Sequence, residues 1–99
     1  MIKKKIREIL KNGKRIKTEY FDIYIKKRED LKIGFIANAK IGSPVKRNKI
    51  KRYIRELVKA NFKKGDMLFV LKREVMDREK DQIEDIFKKI KNEINNSIN

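Results

Sequence analysis

The apolar positions of this chain follow a helical spacing in three segments. Residues 2–11 carry apolar side chains three or four positions apart, and Gly13 provides a helix stop. Residues 44–61 show the same spacing after Ser43, which predicts a helix with a serine N-cap and a proline in its first position. A third apolar stripe spans about residues 78–95. We therefore expect three amphipathic helices.

Between these segments the pattern changes to that of strands. Residues 19–27 and 31–38 alternate with a period of two, and residues 67–71 form a short continuous apolar run. Residues 14–18 could pair as a further short strand. The predicted order is helix, two or three strands, helix, strand, helix, which is typical of an α+β sandwich. Three phenylalanines on apolar faces are expected in its core: Phe35, Phe69 and Phe87.

The size and composition of the chain predict one domain, residues 1–99. No apolar run approaches the roughly 20 residues that cross a bilayer. The first seven residues are too charged to contain a signal peptide. Together with the absence of cysteine, these features predict a cytoplasmic protein without a membrane partner.

Positive charge is the strongest signal in the composition. The chain has 29 Lys and Arg residues against 14 Asp and Glu residues, a formal net charge of +15. This balance favours a polyanionic partner, although codon bias could account for part of the total. The chain has no histidine and no cysteine, and its carboxylates are scattered. We therefore expect no catalytic residue, metal site or bound cofactor in the protein itself.

The basic residues concentrate in one segment, residues 40–55, which contains no acidic residue. On a helix, one set of polar side chains falls opposite the apolar stripe, with Arg47 at its margin, and no glutamate compensates this set at i,i+4. The set is Asn48, Lys51, Arg52, Arg55 and Lys59. Arginine, lysine and asparagine at this density are suited to phosphate oxygens and base edges. The RNA-binding candidates are Lys40, Lys46, Arg47, Asn48, Lys49, Lys51, Arg52 and Arg55.

Residues 46–56, with the sequence KRNKIKRYIRE, resemble the signature helix of the bacterial ribonuclease P protein subunit. That family's pattern is Arg-Asn-Arg, an aliphatic residue, Lys-Arg, two apolar residues and Arg. Residues 31–42 resemble the family's preceding strand and its Lys-Ile-Gly loop. Residues 12–13 resemble the end of its first helix, and residues 20–24 its aromatic strand. The resemblance extends over nearly the whole chain.

This resemblance implies an αβββαβα two-layer sandwich with a mainly antiparallel sheet and a left-handed crossover helix. It further implies that the protein binds ribonuclease P RNA, which uses Mg²⁺ to remove the 5′ leader of precursor tRNA. The catalytic centre would lie in that RNA. The expected partners are the catalytic RNA and precursor tRNA, with no obligate protein partner.

The resemblance also implies a cleft beside the sheet for the single-stranded leader. The candidates for this cleft are Ile6, Leu10, Phe21, Tyr24 and Ile36. Because Phe21 and Tyr24 lie on opposite faces of one strand, at most one of them should line the cleft, and Phe21 shares its face with apolar residues. Ile6 and Leu10 stand where the family has phenylalanine, Lys49 stands where it has arginine, and Ala39-Lys40 replaces a basic pair.

Two other classes of protein share some of these features. A structural protein of the ribosome or of another ribonucleoprotein would share the charge and the α+β fold, but it would not require the ordered basic face after a Lys-Ile-Gly loop. An autonomous nuclease is disfavoured because histidine and a carboxylate cluster are absent. The sequence therefore favours an RNA-binding subunit of ribonuclease P.

Overall fold

The computed structural model describes residues 4–99, with side chains described from residue 8 onward. The chain forms the predicted order of three helices and four strands, including the short strand after the first helix. The element bounds are α1 (Lys4–Asn12), β1 (Lys14–Lys17), β2 (Phe21–Lys26), β3 (Leu31–Ile36), α2 (Pro44–Asn61), β4 (Gly65–Leu71) and α3 (Lys80–Ile98). Two short 3₁₀ turns, Ala39–Ile41 and Arg73–Val75, precede α2 and α3.

The four strands form one mixed sheet in the order β1-β2-β4-β3. The pairs β1–β2 and β2–β4 are antiparallel, whereas β3 and β4 are parallel. Two parallel neighbours cannot be joined by a tight turn, and α2 makes the crossover between them. The expected mainly antiparallel sheet with a crossover helix is thus confirmed, and β1 and β3 are its edges.

The helices α2 and α3 cover one face of the sheet and form the main core with it. The aromatic centre of this core contains Phe21, Phe69 and Phe87, whose ring centroids lie 5.3–6.0 Å apart. The predicted stripe of α2 is buried at Ile50, Ile54, Leu57 and Val58. The expectation that Phe35 is a core residue is only partly correct. Its ring stacks on Phe69, but it lies on edge strand β3 and stays half-buried.

The opposite face of the sheet is called the outer face here. Because side chains alternate along a strand, it carries Tyr24 of β2, Leu68 of β4 and Ile36 of β3. Helix α1 lies against this side at β2, where Glu8 forms a 3.2 Å ion pair with Lys26. Ile9 of α1 and Leu68 are buried but do not belong to the main core cluster.

The helix ends follow from local chemistry. The Ser43 hydroxyl accepts a 3.2 Å hydrogen bond from the backbone N–H of Lys46, which confirms the predicted N-cap of α2. Helix α3 begins and ends later than the pattern predicted. The Gln82 side chain accepts a 3.0 Å hydrogen bond from the Glu79 N–H and fixes the start, while buried Ile98 extends the stripe by one turn.

None of the helices in residues 4–99 is both long and apolar enough to span a membrane.

Candidate nucleic-acid interface

The basic face of α2, defined by Asn48, Lys51, Arg52, Arg55 and Lys59, lies opposite the buried stripe as the periodicity predicted. All of these side chains are exposed except Lys51, which is half-buried. Lys40 and Lys49 are exposed beside them. A rigid helix therefore presents a row of cationic groups with one amide among them, and such a row can contact successive phosphates of a nucleic acid.

Two acidic residues reach this surface, Asp77 from the segment before α3 and Glu56 from α2 itself. Lys46 forms a 2.7 Å ion pair with Asp77, and Glu56 accepts a hydrogen bond from Lys80. The Arg52 Nε atom lies 4.0 Å from Glu56, four residues later on the same helix. The expectation that no glutamate compensates the basic face at i,i+4 is therefore wrong, because Glu56 lies directly after the basic segment, one helical turn beyond Arg52.

These carboxylates stay ionised more readily than usual. The hydrogen bond from Lys80 holds the pKa of Glu56 below its ordinary value, and the hydrogen bond from Lys46 does the same for the pKa of Asp77. Both ion pairs lie in solvent, where such pairs contribute little to stability. An anionic ligand would have to displace these carboxylates in order to pair with Lys46 or Lys80.

Arg47 is placed differently from its neighbours. Its guanidinium is half-buried and donates hydrogen bonds to two backbone carbonyls, 3.0 Å to Ala39 and 2.6 Å to Gly42. In the same loop the Lys40 N–H donates a 2.9 Å bond to the Asn38 side chain. Arg47 thus fastens the loop that carries Lys40 to the start of α2, and it supports the basic surface from within.

Two aromatic rings lie beneath the cations of α2. The Lys49 ammonium and the Arg52 guanidinium lie 5.6 and 5.8 Å from the centroid of the Tyr53 ring. The Arg55 guanidinium lies 5.3 Å from the centroid of Phe35 on β3. Cations at these distances are attracted by the ring faces. The rings therefore restrict the directions in which these long side chains extend.

The residues expected to line a leader cleft do not all lie on one surface. Tyr24 and Ile36 are half-buried on the outer face, and Leu10 is half-buried on α1, which packs against that face. Phe21 is fully buried in the main core. A ring without exposed surface cannot stack on a base, so Phe21 is not a cleft residue. The Ile6 side chain lies outside the described residues.

A charged cluster on the outer face was missed by the sequence reasoning. Arg15 of β1 pairs in register with Tyr24, and its guanidinium lies 5.7 Å from the centroid of that ring. It also donates a 2.7 Å hydrogen bond to Asp22. The Lys72 ammonium lies 3.1 Å from the other oxygen of Asp22. Alternation along β1 places Arg15 and Ile16 on opposite faces of the sheet. The position of Arg15 beside Tyr24 depends on the register between β1 and β2, which the sequence pattern does not give.

Asp22 is the one buried charged residue among those described. Burial opposes its ionisation, but the hydrogen bond from Arg15 and the positive charge of the nearby Lys72 outweigh this effect, and the pKa of the carboxyl lies below its ordinary value. The hydrogen bond to Asp22 in turn raises the pKa of Arg15. The cluster therefore carries one carboxylate and two cations at neutral pH.

Metal ligands do not gather anywhere in residues 4–99. The structure contains no group of three or more His, Cys, Asp or Glu side chains that could hold a metal ion in this part of the chain.

Comparison of the sequence with known proteins gives one consistent result. The family model described as Ribonuclease P matches residues 2–95. The ribonuclease P protein component of Thermotoga maritima is 30% identical over 81 residues, covering 77% of this chain and 69% of the relative. The same component of Mycoplasma capricolum is 36% identical over 77 residues, covering 71% of each chain.

The fold agrees with solved structures of such proteins. The structure of the RNase P protein of Staphylococcus aureus covers 99% of this chain and 96% of its own, with a TM-score of 0.80 and 26% identity. The Thermotoga maritima protein superposes with a TM-score of 0.74 at 23% identity, covering 92% of this chain and 89% of its own, which is a likeness of fold alone. With the family model spanning nearly all of the sequence, the chain belongs to the bacterial ribonuclease P protein family.

Proposed function

We propose that this chain uses two surfaces to assist the removal of the 5′ leader from precursor tRNA. The basic face of α2 and the adjoining loop bind ribonuclease P RNA. The outer face of the sheet binds the single-stranded leader of the substrate. The protein contributes binding energy and charge neutralisation, while the chemical step takes place in the RNA.

The observation that carries this proposal is the adjacency of the two surfaces at edge strand β3. On one side of this strand, Phe35 contacts the guanidinium of Arg55, which belongs to the basic face. The next residue, Ile36, points to the outer face beside Val70 of β4. One small protein can therefore contact two RNA strands across the thickness of a single sheet.

The charge of the chain supports the role assigned to the basic face. Two RNA molecules that associate closely repel each other through their phosphates, and a formal net charge of +15 reduces that repulsion. The RNA-binding candidates Lys40, Asn48, Lys49, Lys51, Arg52 and Arg55 would contact phosphates or base edges. Lys46 would join them once it leaves Asp77, and Arg47 would act mainly by holding the loop.

The outer face has the chemistry that a single strand needs. Tyr24 offers a half-buried aromatic ring, and Leu10 and Ile36 add partly exposed apolar surface. Stacking of a base on an aromatic side chain contributes about 1–3 kcal/mol. Since Leu10 is aliphatic where the family has phenylalanine, leader binding here would depend more strongly on Tyr24.

The magnesium required for cleavage would be held by the RNA. The chain has no histidine and no cysteine. The role of the protein would be to lower the magnesium concentration at which the catalytic RNA and its substrate associate. The metal would supply the hydrolytic chemistry, and residues of this protein would bind and position the two RNA molecules around it.

The direct test is cleavage of precursor tRNA by bacterial ribonuclease P RNA at low magnesium, with and without this protein. We expect the protein to stimulate cleavage, and the protein alone to cleave nothing. No stimulation would contradict the proposal and favour a structural protein of another ribonucleoprotein. Cleavage by the protein alone would favour an autonomous nuclease.

A further inference from the structure

The charged cluster of Arg15, Asp22 and Lys72 lies on the outer face, beside the aromatic ring that the proposed leader path uses. Its carboxylate is covered, with 9% of the Asp22 side chain exposed, whereas 45% of Arg15 and 37% of Lys72 are exposed. A ligand that approaches this face therefore meets the two cations and not the carboxylate between them.

The cations are held in place by more than one contact. Arg15 is fixed by its 2.7 Å hydrogen bond to Asp22 and by its position over the Tyr24 ring. The Lys72 ammonium donates a 2.7 Å hydrogen bond to the Thr18 carbonyl and lies 3.1 Å from Asp22. Because one hydrogen bond engages only one of the five guanidinium N–H groups, Arg15 retains donors for an anion.

A purely structural ion pair does not account for this arrangement. One cation would be enough to neutralise Asp22, and the second leaves the cluster with a net positive charge beside Tyr24. An arginine over one face of an aromatic ring can bind the phosphate of a nucleotide whose base stacks on the other face of that ring. Both groups that such a nucleotide needs are therefore present within one cluster.

We propose that Arg15 and Lys72 form a phosphate-binding site for single-stranded RNA, positioned by the buried carboxylate of Asp22 and adjacent to the base-stacking ring of Tyr24. This inference rests on the proposed function, in which the leader crosses the outer face. It adds a fixed electrostatic anchor beside the aromatic and apolar side chains of this surface, Tyr24, Leu10 and Ile36. Asp22 is a positioning residue, since the two cations cover it.

The first test measures binding of a short single-stranded oligoribonucleotide, of about eight nucleotides, to the free protein. Arg15→Gln should weaken binding roughly fivefold or more and lower the slope of log K against log salt by about 0.7, the value for one phosphate contact on a single strand. The matched control is Arg28→Gln, because Arg28 also forms an ion pair with an aspartate, Asp30, but in the turn between β2 and β3. Equal effects of the two substitutions would overturn the proposal.

The second test asks whether one substitution, Asp22→Asn, tightens or weakens RNA binding. Asp22→Asn removes a negative charge, so it should tighten RNA binding if only net charge matters. If Asp22 positions Arg15 and Lys72, the same substitution should weaken binding, and adding Arg15→Gln to it should cause little further loss. Tighter or unchanged binding would overturn the role of Asp22. Lys72→Gln keeps the Arg15–Asp22 pair and should also weaken binding. This variant tests the site if Asp22→Asn does not fold.

The same variants in the reconstituted enzyme separate this inference from the proposed function. If the wild-type protein stimulates cleavage but Arg15→Gln and Arg28→Gln behave alike in both assays, the phosphate site is wrong and the proposed function stands. If the wild-type protein does not stimulate cleavage but Arg15→Gln selectively weakens oligonucleotide binding, the site stands and the proposed function is wrong.

Discussion

The guanidinium of Arg47 donates a 2.6 Å hydrogen bond to the carbonyl of Gly42, five residues earlier in the chain. A second bond to Ala39 makes Arg47 a clamp across the loop that precedes α2. The residue that begins the Arg-Asn-Lys segment of the RNA-binding motif is therefore also a structural residue. Its effect on RNA binding includes the placement of Lys40 as well as any contact of its own.

Replacing Arg47 by lysine should separate these roles, because lysine keeps the charge but not the planar fork. We expect Arg47→Lys to lower the free energy of unfolding by about 1 kcal/mol, the usual contribution of such hydrogen bonds. The control is Arg52→Lys at an exposed position, which should change the free energy of unfolding by less than about 0.5 kcal/mol. Urea denaturation measures both. Equal effects would show that the loop does not depend on the clamp.

Asp77 should act as a competitor of RNA for Lys46. We expect Asp77→Asn to tighten binding of ribonuclease P RNA and to steepen its salt dependence by about 0.7–0.9, since one more lysine becomes available to phosphate. Asp85→Asn changes the net charge equally at an exposed position of α3 and forms no ion pair with any side chain described in the structure. If both substitutions tighten binding by the same factor, the effect is one of net charge alone.

Arg55 should make a phosphate contact from the basic face. Arg55→Ala should weaken binding of the catalytic RNA and lower the slope of log K against log salt by about 0.7–0.9. Lys89→Ala removes the same charge from an exposed position of α3 and should change the slope less. Binding measured at several salt concentrations gives both slopes. An unchanged slope for Arg55→Ala would mean that this face does not meet phosphate.

Asp22 should make stability depend on pH in the acid range. Its pKa is lower in the folded chain than in the unfolded chain, so the unfolded state takes up the proton first as pH falls. The stabilisation is present above the ordinary carboxyl pKa near 4 and is lost as pH falls through the folded value. At neutral pH, Asp22→Asn should lower the free energy of unfolding by about 1 kcal/mol. This loss is smaller than that expected for a fully buried ion pair, because both cations are partly exposed.

Urea midpoints at neutral pH and at about pH 3 test this dependence. The wild-type protein should lose more stability between the two conditions than Asp22→Asn, because the variant lacks the carboxyl group. Asp81→Asn, at an exposed position in the first turn of α3, is the control and should follow the wild type. A parallel loss in the wild type and in Asp22→Asn would contradict the role given to the cluster.

The sequence was sufficient for the features that depend on local spacing. The three helices, the strands and the Ser43 cap follow from period and capping chemistry, which act within a few residues. The parallel pairing of β3 with β4 does not follow from local spacing, because it depends on how α2 crosses the sheet. Alternation placed Phe21 and Tyr24 on opposite faces, but it could not show which face the helices cover.

The candidate site shows the same division. The basic face of α2 was predictable because one helix carries it. The pairs Lys46–Asp77 and Lys72–Asp22 join residues 31 and 50 positions apart, as their numbering shows, and no pattern within one element reveals them. These long-range pairs change the chemistry of both surfaces. They occupy cations on the helix and fix cations on the sheet.

One measurement tests most directly whether one surface holds the catalytic RNA while the other holds the leader. This measurement compares the affinity of the reconstituted enzyme for precursor tRNA with its affinity for mature tRNA, with and without this protein. We predict that the protein tightens binding of the leader-bearing precursor and has little effect on mature tRNA, which has no leader to cross the sheet. An equal effect on both, or none on the precursor, would contradict the account.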